Sequence, residues 1–365
     1  MLGYNHLIIP SWNRALIMQI PQDIAILGYG AYIPRYRLPT TEVGRVWKGA
    51  GKGPNVEKAL AGLDEDSATM AVESAQKAVE MAEVDDLGAI FVGTETKPYV
   101  VKSTGTIVAQ VLGQSKTLAA DLEFACKAGT EAIQMIMGLV GSGMIKNGLA
   151  IGADTAQGRP GDELEYTAAS ASAAYIISKK TVKSIAQIEG STSYISDTTD
   201  FWRRQHEKYP RHLSRFTGEP AYFHHTQQAV QNLFEEFECK ASDFEYAVFH
   251  QPNPRFPVEV AHRLGFNIDQ IRPGLLSHII GNPYAANSLL SLAAVLEECK
   301  PGDRIMMCSY GSGSGSDAMS IKVLDGIERI KNATYPRIKD MIKDTIKVDY
   351  ATYSKFRNCF NLGNR

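Results

Sequence analysis

One succession of elements occurs twice in this chain, and that repetition restricts the fold more than any other feature. In the first half, Asp23 to Ile33 reads as a strand and the alanine-rich run Asp66 to Glu83 as a helix, with Asp64 or Asp66 as its cap. Gly88 to Thr96 (GAIFVGTET) is a short apolar run that suits a buried parallel strand. Helix Thr104 to Leu112, strand Leu118 to Leu122, helix Cys126 to Val140, and strands Gly148 to Ala153 and Ala171 to Ser178 follow. The second half repeats the order. It has a strand at Ser184 to Glu189, a helix at Ala221 to Glu238, a strand at Tyr246 to His250, and helices at Pro257 to Leu264 and Asn282 to Cys299. Strands at Arg304 to Ser309 and Ala318 to Leu324 close it. A polar, aromatic stretch, Ser191 to Pro220, interrupts it. From Cys126 at a helix start to Leu149 in the next strand is 23 residues, and from Asn282 to Ile305 is also 23. A duplicated α/β unit explains this better than two unrelated domains. The expected boundaries are an N-terminal extension over 1–20, a first half over 21–180, a second over 181–325 and a tail over 326–365. The tail reads as a terminal extension or a partner contact, with a short helix within Pro336 to Ile346.

Composition removes several function classes. With 44% hydrophobic and 21% charged residues the chain is an ordinary globular protein. Lys and Arg number 38 against 40 Asp and Glu, so the basic excess of a general nucleic-acid binder is missing. No apolar run approaches the ~18 residues that span a bilayer. Met1 to Ile20 lacks a continuous signal core, and the native start is either Met1 or Met18. The five cysteines are scattered and form no CxxC pair, which argues against a zinc ribbon and for a reduced, cytoplasmic chain. His224 and His225 would diverge on a helix, so no metal site is expected there.

Four residues stand where chemistry is plausible. Cys126, in DLEFACKAGTEA, follows a strand and opens a helix whose positive end would favour a thiolate nucleophile. A buried cysteine acting as a small hydrophobe fits the same position. His250, ending VFHQPNP, reads as an acid or base, or as a capping histidine. Glu95, in VGTET, is either a desolvated base at the end of an apolar strand or an exposed loop residue. Asn282, in GNPYAANS, reads as a helix cap, a ligand contact, or both. Tyr310 to Ser316 (YGSGSGS) is a glycine-rich loop whose N–H groups can meet an oxyanion. It is no P-loop, because no GK[ST] follows, and Gly28-Tyr29-Gly30 lacks the third glycine of a dinucleotide fingerprint.

Together GTET, FACKAGTEA, VFHQPN, GNPYAANS and SYGSGSGS resemble the thiolase superfamily, and within it the archaeal branch of hydroxymethylglutaryl-CoA synthase. GYGAYIPRYR, RPGDELEYTAASASAAYII and DYATYSKFR extend the resemblance over roughly residues 20 to 355. It implies a duplicated five-layer α-β-α-β-α thiolase-like fold. It also implies condensation of acetyl-CoA with acetoacetyl-CoA and water in the mevalonate pathway, with no cofactor beyond the coenzyme A thioesters. Cys126 corresponds to the acetylated nucleophile, Glu95 to the base and acid of condensation, and His250 to the residue that orients acetoacetyl-CoA. Thr167, Asn282 and Ser312 resemble substrate-contacting positions. Arg215 and Thr217, in SRFTGEP, and Arg255 resemble coenzyme A contacts, although the branch often carries Lys at the last. Glu259 departs from a basic position, and Met1 to Met18 matches nothing in the pattern. The resemblance further implies a homodimer or dimer of dimers, and association with acetoacetyl-CoA thiolase and a small zinc-ribbon/OB-fold protein. Two alternatives compete: a β-ketoacyl-acyl carrier protein synthase of the Cys-His-Asn type, which has no need of Glu95, and a non-catalytic thiolase-like scaffold.

Overall fold

The computed structural model describes residues 21, 23–47, 53–213, 217–331 and 335–358. The extension over 1–20 and the candidate Arg215 lie outside the described residues. Strand β1 (Ile24–Tyr32) leads into the short strand β2 (Tyr36–Pro39), helix α1 (Thr40–Trp47) and strand β3 (Glu57–Leu60). Then come α2 (Ser67–Ala82), β4 (Ala89–Gly93), α3 (Thr104–Val111), β5 (Leu118–Leu122), α4 (Ala128–Gly141), β6 (Asn147–Thr155), α5 (Glu163–Thr167) and β7 (Ser170–Lys179). The second half opens with β8 (Ala186–Ile195) and a small hairpin, β9 (Phe201–Trp202) with β10 (Arg211–His212). A π-helical turn (Thr217–Phe223) feeds α6 (His224–Glu236), followed by β11 (Tyr246–Phe249), α7 (Phe256–Arg263), α8 (Ile268–Ile271), α9 (Ser277–Ile280) and α10 (Asn287–Leu296). Strands β12 (Arg304–Gly311) and β13 (Gly315–Val323) complete it. The tail adds α11 (Ile327–Lys331), α12 (Ile338–Lys343), β14 (Ile346–Lys347) and α13 (Tyr350–Phe356).

Strand order makes the duplication visible. The large sheet runs β11-β12-β13-β8-β1-β7-β6-β4-β5. In the first half β4 and β6 are parallel, β6 and β7 antiparallel, and β7 and β1 antiparallel. In the second half β11 and β12 are parallel, β12 and β13 antiparallel, and β13 and β8 antiparallel. The halves join through β1 and β8, at Ala25 opposite Gln187 and Ile26 opposite Ala186. Helices α4 and α10 fill the middle layer, which is why α10 is buried along its whole length. Helices α2 and α3 cover one outer face, and α6 the other.

Local chemistry explains the helix nearest the first strand. Asp66 caps α2 by accepting the Thr69 N–H, while the Thr69 hydroxyl closes a reciprocal capping box. Its alanine face lets α2 lie almost on the β1 backbone. A Cβ at Gly30 would stand 2.0 Å from the Ser74 carbonyl oxygen. The Gly-Tyr-Gly run therefore serves helix packing.

Three sequence expectations change. Ser191 to Ile195 belongs to β8, because pairing with β13 compensates for its polar side chains. Asn282 does not begin the long helix. It forms a bridge with Ala168, a short 3₁₀ turn covers Tyr284–Ala286, and α10 starts only at Asn287. Pro283 lacks an N–H, and Tyr284 holds φ at +41°, which an α-helix does not allow. The tail packs on its own chain: β14 pairs with β2, and Tyr350 and Tyr353 join Leu38, Val43, Leu60 and Tyr166 in a small core.

Candidate active site

Parallel strands deliver their carboxyl ends to one side of a sheet, and here three such ends converge. Beyond β4 lie Thr94, Glu95 and Thr96; beyond β5, the turn carrying Cys126; at the end of β6, Asp154. Asp154 is fully buried and binds them together. Its Oδ1 accepts from Thr94 Oγ1 (3.1 Å), the Glu95 N–H (2.9 Å) and Thr96 Oγ1 (2.6 Å). Its Oδ2 accepts the Ala285 N–H (2.9 Å), which reaches across to the second half. Gly152 permits that approach, since a Cβ there would lie 2.3 Å from the Ala285 carbonyl oxygen. Burial pushes the Asp154 carboxyl up to about 6, with these four hydrogen bonds opposing the shift. Asp154→Ala would orphan two buried backbone N–H groups, at Glu95 and Ala285. A loss of about 3 kcal/mol or more is expected in denaturant unfolding.

Cys126 is buried among Ala156, Ala168 and Tyr284, with Phe201 alongside. The preceding residue, Ala125, sits at φ +48°, a left-handed conformation that turns the chain sharply from β5 into α4. Helix α4 begins two residues after Cys126, with Lys127 at its cap position. The expected stabilised thiolate is not found. Burial, reinforced by Asp154, Glu95 and Asp200, pushes the thiol well above its ordinary range. The resting side chain is a neutral thiol.

Glu95 and Cys126 line one cavity of about 340 Å³, together with Thr96, Gln157, Tyr284 and Ser312. Glu95 is mostly buried, and its Oε1 has no hydrogen-bond partner. Burial, then the neighbouring Asp154, raise its carboxyl to about 7, while the Ala125 N–H acts against the shift. His250 is buried, and both ring nitrogens lack partners. Its backbone is held by the Cys308 carbonyl and by the Tyr222 hydroxyl, which donates to the His250 carbonyl. Burial lowers the imidazole to about 3, so the ring is neutral at ordinary pH, with one N–H to donate and one nitrogen to accept.

The remaining candidates divide into two groups. Asn282 and Thr167, like His250, are not among the residues that line the cavity, but the Asn282 N–H donates to the Thr167 carbonyl (2.7 Å), and Ala168, bridged to Asn282, packs on Cys126. The Asn282 carboxamide oxygen accepts the Tyr284 N–H (3.1 Å) and an Asn287 side-chain N–H (3.1 Å), so it caps the short turn and not α10. Ser312 lies in the β12–β13 hairpin turn at the cavity wall. Two N–H groups expected to serve an oxyanion there are already used, Gly313 donating to Asp200 and Ser314 to the Gly311 carbonyl. Thr217 and Arg255 lie outside the cavity lining, at the π-helical turn and just before α7, where Arg255 is exposed. Glu259 is paired with Arg263, which also binds Glu219.

Sequence reasoning missed five residues around the cavity. Asp154 ends an apolar strand as Glu95 does, and the same argument finds it. Tyr284 packs on Cys126 with its buried hydroxyl unpartnered. Tyr310 contacts the His250 ring (centroids 6.1 Å apart) and donates to buried Asp200 (2.9 Å). Arg203 and Lys208 line the cavity mouth, but in the sequence they look like any solvated loop charge.

The family of 3-oxoacyl-[acyl-carrier-protein (ACP)] synthase III C-terminal domains matches residues 234–323. The fold is similar to a crystal structure of HMG-CoA synthase complexed with CoA, with a TM-score of 0.81 and 21% identity, covering 91% of this chain and 90% of that one. It is also similar to 3-oxoacyl-(acyl carrier protein) synthase III of Pseudomonas aeruginosa, with a TM-score of 0.75 and 18% identity, covering 83% of this chain and 99% of that one. Both have the thiolase-like architecture. The hydroxymethylglutaryl-CoA synthase of Pyrococcus furiosus is 52% identical over 349 residues, covering 95% of this chain and 99% of that protein. That of Methanocaldococcus jannaschii is 54% identical over 340 residues, covering 91% and 98%. With identity this high across nearly the whole length, the chain belongs to the hydroxymethylglutaryl-CoA synthase family.

Proposed function

We propose that the chain condenses acetyl-CoA with acetoacetyl-CoA and water through an acetyl-Cys126 intermediate, giving (3S)-3-hydroxy-3-methylglutaryl-CoA and CoA for the mevalonate route. The observation that carries this reading is one cavity lined by both Cys126 and a carboxylate with a free oxygen, Glu95. A Cys-His-Asn ketoacyl synthase has no use for that carboxylate.

The Cys126 sulfur attacks the acetyl thioester carbonyl, and CoA leaves with the proton that the thiol gives up. Glu95, poised near 7, takes a proton from the acetyl methyl group, and the resulting enolate adds to the ketone of acetoacetyl-CoA. Neutral His250 donates its N–H to that ketone oxygen and holds it in place. Glu95 returns its proton to the new alkoxide, and water then cleaves the Cys126 thioester. Dry walls around Cys126 protect the carbanion from reprotonation by solvent. In this reading Asn282, Thr167 and Ser312 contact the acyl groups. Arg215, Thr217 and Arg255 meet coenzyme A, joined by Arg203 and Lys208 at the mouth.

The halves 21–180 and 181–325 then divide the labour, with Glu95 and Cys126 from one and His250 and Asn282 from the other. A homodimer or dimer of dimers, acetoacetyl-CoA thiolase and a small zinc-ribbon/OB-fold partner belong to the same reading. Outer strand β5 and the exposed run Tyr99, Val100 and Val101 support a subunit contact. A cytoplasmic setting is supported by Cys126, Cys239, Cys299 and Cys308, all free thiols. No helix among the described residues is long and apolar enough to cross a membrane.

Intact-mass analysis tests the assignment. Acetyl-CoA should add one acetyl group at Cys126, and acetoacetyl-CoA should discharge it as hydroxymethylglutaryl-CoA. An adduct that ignores acetoacetyl-CoA but passes to a malonyl-carrier protein would make the chain a ketoacyl synthase. No adduct at all would favour the scaffold.

A further inference from the structure

Cys126 is followed by a lysine buried deep between the two halves. Lys127 is 1% exposed, and its Nζ lies 3.0 Å from both carboxylate oxygens of Asp317 on β13, which is itself buried. The Glu131 carboxylate, one turn along α4, also pairs with it, and the Phe124 ring centroid lies 3.8 Å from Nζ. Asp317 is fully engaged: it accepts Thr130 Oγ1 from α4 and Ser193 Oγ from β8, each at 2.7 Å. Thr130 meets Ser309 of β12 as well, at 2.7 Å. Phe124, Lys127, Thr130 and Glu131 belong to the first half, and Ser193, Ser309 and Asp317 to the second.

A buried ion pair gains little net stability over an apolar pair of similar volume, so stability alone is a weak reason for this one. Its place on the chain suggests a better one. Ala125 holds a left-handed backbone immediately before the nucleophile, and such a turn persists only where its surroundings impose it. Lys127 provides an anchor on the other side of Cys126, and the anchor point belongs to the opposite half. We infer that Lys127 and Asp317 are positioning residues: they clamp the Ala125–Cys126 turn against the second half, so that the thiol faces a substrate held by residues of that half. Because Asp317 and Glu131 neutralise the ammonium, the clamp acts through geometry and not by lending charge to the thiol. The inference rests on Cys126 being the nucleophile.

The test follows single-turnover acetylation of Cys126 by acetyl-CoA with intact mass, alongside thermal unfolding. Lys127→Met and Asp317→Asn should each slow acetylation by about 10²-fold, with half-saturation by acetyl-CoA unchanged within about twofold. Lys127→Met leaves buried Asp317 without its cation, and Asp317→Asn leaves buried Lys127 with Glu131 alone, so each should also lower Tm. The double variant Lys127→Met, Asp317→Asn removes both charges; it should regain Tm and remain slow. Tyr175→Phe, which loses a buried hydrogen bond to the Leu289 carbonyl and leaves the Lys127–Asp317 pair intact, serves as the stability control and should lower Tm without slowing acetylation. If Lys127→Met does not fold, Asp317→Asn and the double variant carry the comparison. Acetylation of the double variant at the wild-type rate overturns the inference, as does slowing that follows Tm in every variant, the control included. Absence of acetylation in the wild type overturns the assigned nucleophile as well.

Discussion

A Cys126→Ala variant is expected to take up no acetyl group from acetyl-CoA and to lose turnover by ~10⁴-fold or more, since no neighbour can replace the covalent step. The fold should survive. Cys126 packs against Ala156 and Ala168, so alanine leaves only a small gap and Tm should stay near the wild-type value. Serine should be no rescue. Surroundings that already disfavour a thiolate oppose an alkoxide still more, because burial and the nearby Asp154, Glu95 and Asp200 all resist negative charge. Peptide mapping of the wild type provides the check: an acetyl group on Cys308 or Cys299 in place of Cys126 would disprove the assignment.

Glu95→Gln should separate the two chemical stages. Acetyl-Cys126 should still form and then accumulate, while condensation falls by about 10²–10⁴-fold, the usual range for removing a positioned general base. In the wild type, condensation should rise as pH passes about 7, where the carboxylate forms. Stability should move the other way. A carboxyl whose folded value is raised gives stability that is complete below its unfolded value, near 4.5, and lost as pH rises through about 7. Glutamine mimics the neutral acid. The variant should therefore exceed the wild type by about 3 kcal/mol at pH 8, with no advantage below pH 4.5. Denaturant unfolding at the two pH values, with acetyl mass and product formation, tests both claims. Normal condensation by the variant would remove Glu95 from the mechanism.

Much of this was legible because it is local. The strand Leu118–Leu122 lies where its apolar pattern puts it, and Asp66 caps α2 as its position before an alanine-rich run suggests. Glu95 is legible as a strand-end carboxylate, desolvated or exposed, and only the assembled fold buries it. The turn that carries Cys126 is legible in the sequence, whereas its electrostatic surroundings are not. A helix start argues for a thiolate, but burial opposes it, as do carboxylates from three distant points in the chain, Asp154, Glu95 and Asp200. Asn282 was misplaced because spacing shows that a helix is near but not that Tyr284 will hold a left-handed turn, with the Ala285 N–H bound to Asp154.

The sequence by itself determined the alternating elements, their duplication and the residue types at the strand ends, since periodicity, capping and turn chemistry act over a few residues. Only the tertiary structure decided which strand ends meet and which carboxylates lose water. It alone brought Lys127 to Asp317, 190 residues further along the chain. Charge states and hydrogen-bond partners depend on burial, and burial is a property of the assembled layers.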